Sequence, residues 1–144
     1  MMKRIIRRNM TDLPYSLHDA RVIDFELTEN ILQMKFQSGF VCTVAPFEQV
    51  EGWVEFENID WDFCYVYLLE YQEVLCGNPG SFTGKKMELR EFINEFHNAS
   101  FEIIDETYGY NLSKFMGYFS KQDSLKECII ELYHWGDMSY RLEE

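Results

Sequence analysis

The segment at residues 17–45, LHDARVIDFELTENILQMKFQSGFVCTVA, predicts three consecutive antiparallel strands. In its first part, apolar residues alternate with Asp24 and Glu26, and this period of two is typical of a strand with one buried face. The residues predicted to face the core are Ile23, Phe25 and Leu27. Because a slip by one residue would bury the acidic side chains, we expect a firmly fixed register.

Two short turns set the predicted pairing within this segment. Glu29-Asn30 supplies a two-residue turn, since asparagine tolerates positive φ, and Ser38-Gly39 supplies the next. The predicted neighbours in the first hairpin are Leu27 with Leu32, Phe25 with Met34, Ile23 with Phe36 and Asp24 with Lys35. The third strand is expected to lie against the second, with Val41 beside Phe36 and Thr43 beside Met34.

The rest of the chain continues the β pattern around one helix. Further strands are predicted at residues 3–8, 50–57, 61–71, 101–106, 112–119, 126–135 and 138–142. The last two are expected to form a hairpin that turns at Gly136-Asp137, and the strands nearest the two termini are expected to be sheet edges. Residues 85–98 have apolar side chains at helical spacing, with Thr83 as the predicted N-cap.

This order of elements predicts an α+β fold. We expect a predominantly antiparallel, strongly curved sheet or open barrel, built from a β-meander and hairpins, with one amphipathic helix at about residues 85–98. The 144 residues are enough to bury a core, and 47% of them are hydrophobic. A single domain covering residues 1–144 is therefore expected.

Charge is distributed unevenly along the chain. The formal net charge is −12 at pH 7, although Lys3, Arg4, Arg7 and Arg8 are all basic. An acidic body repels nucleic acid and anionic membranes and attracts basic proteins, so we expect a basic protein partner. The basic residues either contact a phosphate or lipid or guard a sheet edge, and we favour the guarded edge. Docking of this strand on the acidic face of a second copy would give a homodimer.

An acidic strand with a tryptophan is the predicted partner-binding surface. No lysine or arginine occurs from residue 36 to residue 84, whereas eight acidic residues do. By alternation, one face of the strand carries Glu51, Trp53, Glu55 and Glu57, and the adjoining turn carries Asp60, Trp61 and Asp62. Carboxylates would steer a basic partner and tryptophan would anchor it. Charge reversal at the three glutamates is expected to abolish binding with little change in melting temperature. The alternative is a solvated strand face with no binding role.

The opening of the chain resembles a group of small bacterial domains. The segments that carry the likeness are YSLHDARVIDFEL at residues 15–27 and LQMKFQSGF at residues 32–40. In those domains a bend containing His-Asp precedes a β-hairpin, and some are assigned as immunity proteins that neutralise toxins. The resemblance implies a toxin-neutralising role and supplies no catalytic residues. We interpret His18 and Asp19 as bend residues, because adjacent side chains on an extended chain point to opposite faces.

Tyrosines indicate an alternative function. Tyr65, Tyr67 and Tyr71 form one stripe of a predicted strand, and Tyr133 lies on a later strand. A curved sheet of this size either holds one small ligand or is filled by its own side chains. The alternative is therefore a small-molecule-binding domain whose pocket, inside the curved sheet, is lined by these four tyrosines.

No motif for catalysis, metal binding or a cofactor is recognisable. His18, His97 and His134 have no ligand spacing, and the four cysteines form no CxxC pair. We therefore expect no catalytic residues, metal ions or cofactors, and we interpret the cysteines as free thiols in a reducing cytoplasm. The first residues lack the apolar core of a signal peptide, and no apolar run reaches the roughly 20 residues of a membrane helix. A cytoplasmic location is expected.

Overall fold

The structure, a computed structural model, describes residues 2–8, 11–72 and 76–143, and these residues form two antiparallel sheets and one α-helix. The strands are β1 (Met2–Ile6), β2 (Tyr15–Ser16), β3 (Arg21–Thr28), β4 (Ile31–Phe36), β5 (Phe40–Cys42), β6 (Gln49–Val50), β7 (Gly52–Glu57), β8 (Tyr65–Gln72), β9 (Ser81–Glu88), β10 (Ala99–Gly109), β11 (Leu112–Lys121), β12 (Ser124–Tyr133) and β13 (Met138–Glu143). The helix α1 (Leu89–Glu95) follows β9, and a 3₁₀ turn (Trp61–Phe63) precedes β8.

The larger sheet contains ten strands in the order β1-β13-β7-β4-β3-β10-β11-β12-β8-β9. Neighbouring strands in it pair antiparallel. Within the described residues the sheet is strongly curved but not closed, and β1 and β9 are its edges. The smaller sheet has the order β2-β5-β6. The predicted α+β fold with a curved antiparallel sheet is confirmed.

The first predicted hairpin is confirmed in its turn and in most of its register. Phe25 pairs with Met34, Leu27 with Leu32 and Asp24 with Lys35. A bulge between Val22 and Asp24 shifts the remainder, so that Val22 instead of Ile23 lies opposite Phe36. A bulge places two residues of one strand opposite one of its partner and turns the next side chain over. Val22 is therefore fully buried, whereas Ile23 is 46% exposed.

The third strand of the predicted meander leaves the larger sheet, so that prediction is wrong. β5 pairs with β2 and β6, and the second neighbour of β4 is β7, where Met34 lies opposite Val54. The change of sheet occurs at Gly39, whose φ is +66° and where a Cβ would lie 1.8 Å from the carbonyl oxygen of Val50. Only glycine permits this close approach, which turns β5 over the core.

The predicted C-terminal hairpin does not form. β13 lies between β1 and β7, with Tyr140 opposite both Ile5 and Val54, while β12 pairs with β11 and β8. Met138, Tyr140 and Leu142 are all buried on one face of β13. A strand with a neighbour on each side also has more of its backbone groups hydrogen-bonded than an edge strand has. Burial and backbone pairing between β1 and β7 therefore stabilise this position more than the short connection favours a hairpin with β12. Of the two predicted edge strands, only β1 is an edge.

The helix is shorter than its apolar spacing predicts, since it begins at Leu89 and ends at Glu95 instead of covering residues 85–98. Residues Ser81–Glu88 form β9, which pairs with β8 and places Met87 opposite Val66, and Glu88 instead of Thr83 is the N-cap. Met87 and Leu89 are two residues apart, a spacing that places both side chains on one face of an extended chain and not on one face of a helix. The predicted strand at residues 61–71 is likewise shorter, because Asp60 caps the 3₁₀ turn and β8 begins at Tyr65.

The core lies between one face of the larger sheet, called here the inner face, and a cover formed by α1 and the smaller sheet. On the helix side, Phe92 and Phe96 contact Phe25 and Phe119 with ring centroids 4.9–6.0 Å apart. On the other side, the rings of the small sheet, Phe40 and Tyr15, contact Tyr140. Each aromatic pair contributes about 0.5–1.5 kcal/mol beyond its buried area.

The opposite, outer face of the larger sheet has no covering layer among the described elements, and it is where the candidate sites lie. Within the same residues, no helix is both long enough and apolar enough to cross a bilayer.

Candidate functional site

The outer face divides into two regions with different chemistry. The outer sides of β13, β7, β4 and β3 form what we call the charge-paired face. The outer sides of β8, β11 and β12, with the 3₁₀ turn and Trp135, form what we call the aromatic face. The predicted partner-binding residues are split between the two: Glu51, Trp53, Glu55 and Glu57 lie on or beside the charge-paired face, and Asp60, Trp61 and Asp62 lie at one end of the aromatic face.

Glu55 is the centre of the charge-paired face. Its Oε1 accepts from the Arg141 Nε at 2.9 Å, and its Oε2 accepts from the Gln33 Nε2 at 2.7 Å and from the Trp53 Nε1 at 2.9 Å. The residue is only 6% exposed. Burial alone would raise the pKa of Glu55, but the hydrogen bonds from Trp53, Gln33 and Arg141 outweigh it and hold this pKa below its usual value. Glu55 is thus a structural carboxylate.

The neighbouring charges of this face are also paired within the chain. Arg4 lies 2.9 Å from Glu57 and 3.6 Å from Asp137. The Lys35 Nζ lies 3.9 Å from the ring centre of Trp53. Because intramolecular cations occupy Trp53, Glu55 and Glu57, the strand does not present the unpaired acidic surface that its sequence predicts.

Glu51 differs from these residues: it is exposed, and no ion pair joins it to another described residue. The expectation that reversing all three glutamates preserves stability is therefore wrong for Glu55. A lysine there would place a second cation against Arg141 in a buried site.

Asp60 organises the end of the aromatic face. Its Oδ1 accepts from the amide of Asp62 at 3.3 Å, and its Oδ2 accepts from the Trp135 Nε1 at 3.0 Å. Its own amide donates to the carbonyl of Tyr133 at 2.9 Å. The Trp61 Nε1 donates to the Asn30 Oδ1 at 3.3 Å, and the Arg90 guanidinium lies 4.2 Å from the Trp61 ring centre. The turn at Asp60 and the end of β12 therefore form one rigid corner.

The four tyrosines of the alternative prediction share the aromatic face. Tyr65, Tyr67 and Tyr71 point away from the core, because the alternate residue Val66 is buried on the inner face. Tyr133 lies on the same outer side of β12, and its ring centre is 6.1 Å from that of Phe63. These tyrosines do not line a cavity inside the curved sheet, where core side chains fill the space. They form part of an exposed surface.

A shallow groove crosses the other end of the aromatic face. It has a volume of about 700 Å³ and is lined by Leu69, Glu70, Tyr71, Pro79, Tyr118, Leu125 and Glu127. Leu125 is 67% exposed, and Tyr118 and Tyr71 are also exposed. The groove combines apolar side chains with two carboxylates, a composition suited to a partner that is apolar at its centre and basic at its rim.

The aromatic face also contains exposed residues that the sequence did not single out. Trp135 is 64% exposed and Phe63 is 59% exposed. Large exposed apolar patches mark interaction sites more often than structural ones. The available signal was the alternation in β12, where Ile129 and Tyr133 are apolar on the side opposite the buried Cys128, Ile130 and Leu132. A strand with apolar residues on both faces is expected to be covered by another layer on each face. Among the described elements, no layer covers the outer face of β12.

A serine–histidine pair lies inside the core. The Ser113 Oγ is 2.8 Å from the His134 Nε2, and the His134 Nδ1 is 2.9 Å from the carbonyl oxygen of Gly136. Since a carbonyl only accepts, Nδ1 carries the proton and the serine hydroxyl donates to Nε2. Both residues are buried, and burial lowers the pKa of His134. The arrangement satisfies two buried polar groups and gives a substrate no access to either.

His18 and Asp19 meet, contrary to the expectation that their side chains diverge. Asp19 has a φ of +68°, which folds the chain back and brings its Oδ2 to 3.5 Å from the His18 Nε2. The His18 Nδ1 lies 2.6 Å from the carbonyl oxygen of Ile104. The pair lies in a bend, as predicted, beside an open cleft of about 380 Å³ that is also lined by Gln37 and Gln49.

The described residues offer neither a cluster of metal ligands nor, among the two buried cysteines, a reactive thiol. The described part of the chain contains no group of three or more His, Cys, Asp or Glu side chains placed to hold a metal ion. Cys64 and Cys128 are buried, and burial raises the pKa of Cys64 to about 11. A thiol with so high a pKa is not a nucleophile at neutral pH.

No protein-family model, curated protein or solved structure matches the chain.

Proposed function

We propose that the protein is a cytoplasmic protein-binding module that contacts a basic partner through its aromatic face, and that it acts as a toxin-neutralising, immunity-type protein. The observation that carries the proposal is the run of exposed aromatic and aliphatic side chains along the outer side of β8, β11 and β12. Its most exposed members are Phe63, Leu125 and Trp135. Aromatic residues on rigid strands lose little entropy on binding, and they are enriched among the residues that dominate interface energies.

Charge supports a basic partner. The net charge is −12, so long-range attraction accelerates encounter with a cationic surface. On the face itself, Glu127 and Glu131 lie beside the tyrosines of β8, and Asp62 is exposed at the corner. These carboxylates surround the apolar centre, which matches the usual arrangement of a polar rim around an apolar interface core.

The immunity-type role rests on the resemblance of residues 15–27 and 32–40 to bacterial domains of that kind. A protein that neutralises a toxin acts by binding alone, which suits a surface whose strongest feature is exposed apolar area. The cytoplasmic location is supported by four free cysteines, since thiols stay reduced there.

The test of the proposal is capture of a partner by the immobilised protein, followed by mass spectrometry. We expect a basic protein to be captured, and we expect the double variant Tyr118→Ala, Leu125→Ala to retain at least tenfold less, since central interface residues contribute about 2 kcal/mol or more. Both residues are exposed, so the double variant should fold. Glu51→Ala, beside the charge-paired face, is the matched control and should capture normally. Equal capture by the double variant would contradict the proposed surface.

The immunity-type role has its own test. The captured protein is expressed in bacteria alone and together with the wild-type chain or the double variant. Growth inhibition that the wild-type chain relieves and the double variant does not is the expected result. A captured protein that leaves growth unaffected would exclude a neutralising role while leaving the binding surface in place.

A small-molecule function is the second candidate, favoured by the 700 Å³ groove beside Tyr71 and Tyr118. A ligand there should raise the melting temperature in a metabolite screen, and the rise should disappear in the Tyr118→Ala, Leu125→Ala variant. A protein-binding surface predicts no such shift.

A further inference from the structure

The chain places its own cations on its aromatic rings repeatedly. Arg90 lies 4.2 Å from the ring centre of Trp61 and Lys35 lies 3.9 Å from that of Trp53. Lys86 lies 4.0 Å from the ring centre of Tyr65 and 5.6 Å from that of Tyr67. Such contacts are attractive because the face of an aromatic ring carries partial negative charge.

Trp135 is the exception among the three tryptophans. It is the most exposed of them, at 64%, and no cation of the described residues lies over its ring. Its orientation is nevertheless fixed, because its Nε1 donates to the Asp60 Oδ2 at 3.0 Å and its amide donates to the carbonyl of Asn58 at 2.9 Å. An exposed indole held in one orientation is preorganised for binding, because little side-chain entropy remains to be lost.

The surroundings of Trp135 are acidic and aromatic. Asp60 is bonded to the indole, Asp62 is exposed two residues further on, and the Phe63 and Tyr133 rings contact each other at the same corner. The two segments that build this corner come from stretches that contain no lysine or arginine, residues 36–84 and 127–140. Two described arginines are already engaged elsewhere, Arg90 with Trp61 and Arg4 with Glu57 and Asp137.

We propose that Trp135, Asp60 and Asp62 form the site that receives an arginine side chain of the basic partner. A guanidinium is planar and can stack on the indole while its N–H groups donate to the neighbouring carboxylates. An ammonium lacks this flat fork, so arginine is preferred to lysine. The inference rests on the proposed function, since it names the residue type that this surface recognises.

The site is tested directly with Nα-acetyl-arginine N-methylamide as the probe, and the matched control is the uncharged analogue Nα-acetyl-citrulline N-methylamide. The indole N–H signals of the three tryptophans are followed by NMR in ¹⁵N-labelled protein and assigned with single Trp→Phe variants. We expect the Trp135 signal to shift with the arginine probe in a saturable manner and to stay in place with the citrulline probe. The Trp53 and Trp61 signals should shift less, because Lys35 and Arg90 already occupy those rings.

Variants separate the contributions of the ring and the carboxylates. Probe binding to these variants is followed through the backbone amide of the residue at position 135. Trp135→Phe keeps a ring face and should bind the probe weakly. Replacement by Ala at position 135 should weaken binding about 2-fold to 30-fold, the range for a cation on an aromatic ring. Asp62→Asn should also weaken binding of the probe. The difference in affinity between the wild-type chain and this variant should grow as the salt concentration is lowered, because the lost attraction is electrostatic. Since Trp135 and Asp62 are exposed, these variants should fold.

Three outcomes would overturn the inference: an unmoved Trp135 signal, an equal shift with the citrulline probe, or undiminished binding after the Ala substitution at position 135. The proposed function is judged separately by the Tyr118→Ala, Leu125→Ala capture experiment. Partner capture without probe binding would reject the arginine site and keep the binding module. Probe binding without any captured protein would keep the site and reject the proposed function.

Discussion

Replacement of Glu55 provides the sharpest test of the charge-paired face. Sequence alternation alone makes this residue one of four similar positions on an acidic strand. In the structure its carboxylate is buried and accepts from Arg141, Gln33 and Trp53 at 2.7–2.9 Å. We therefore expect Glu55→Ala to destabilise the fold strongly, whereas Glu51→Ala should have almost no effect.

The magnitude follows from the groups left without a partner. Removing one member of a fully buried ion pair costs about 3–5 kcal/mol, but the Arg141 side chain is 30% exposed, so about 2–3 kcal/mol is expected for Glu55→Ala. Glu55→Gln keeps one oxygen acceptor, but it loses the charge and replaces the second acceptor with an NH2 group that faces a donor, so about 1–3 kcal/mol is expected. In a chain of this length, about 1 kcal/mol lowers the melting temperature by about 2–4 °C, so the Ala variant should melt roughly 4–12 °C lower than the wild-type chain.

The assay is equilibrium unfolding in urea, followed by circular dichroism for the wild-type chain and the variants Glu55→Ala, Glu55→Gln and Glu51→Ala. The folded-state pKa of Glu55 is lowered, so its contribution is present above the unfolded-state pKa of about 4.3 and is lost as the pH falls through the folded-state value. The difference in the free energy of unfolding between the wild-type chain and Glu55→Gln should therefore become smaller at acidic pH. Equal midpoints for the position-51 and position-55 variants at neutral pH would refute the reasoning.

Three further predictions follow from the core and the edges. Burial lowers the pKa of His134, so its neutral form stabilises the fold fully above the unfolded-state pKa of about 6.5, and the free energy of unfolding should decrease as the pH falls toward the folded-state pKa. Urea unfolding at several pH values should show a weaker pH dependence in His134→Gln than in the wild-type chain. Gly117→Ala should cost at least about 2 kcal/mol in urea unfolding, because its Cβ would lie 1.8 Å from the Glu102 carbonyl oxygen, whereas the control Gly109→Ala meets nothing nearer than 3.8 Å. A homodimer through β1 should dissociate as salt rises and when residues 1–9 are removed; sedimentation that finds a monomer at every salt concentration would reject it.

Local pairing was predictable because all of its information is adjacent in the sequence. The alternation of Phe25 and Leu27 against Met34 and Leu32 fixed the first hairpin, and the turn at residues 29 and 30 set its length. The bulge beside Ile23 was not visible, since it depends on how β3 meets β10 through Val22 and Phe101. Patterns identify strands well and long-range partners poorly.

The position of β13 illustrates that limit. Its sequence alternates as a strand should, and the nearby turn suggested β12 as its partner. Its actual neighbours, β1 and β7, are distant in sequence, and their choice depends on burying Tyr140 against Tyr15 and Phe40. Sequence alternation does not contain that three-dimensional fit.

The sequence identified most residue types of the candidate site, but it did not show which of these residues form one surface. Asp60, Trp61 and Asp62 were identified, as were the tyrosines of β8, but as two unrelated surfaces. The structure joins them through Asp60, whose contacts reach Tyr133 and Trp135 more than 70 residues away. Conversely, Glu55 was expected at an open surface because Arg141, 86 residues later, gives no local sign of being its partner.

The pairing of β1 with β13 has a consequence for synthesis. Met2 lies opposite Glu143, so the strand made first in this sheet has its partner made last. At 5–20 residues per second, β1 would wait roughly 7–28 s after its own synthesis before β13 existed. During that interval β7 lacks one neighbour, and the sheet cannot acquire its final edge. Assembly of this side of the protein is therefore expected after translation of β13, while the β3–β4 and β10–β11–β12 units can form as they emerge.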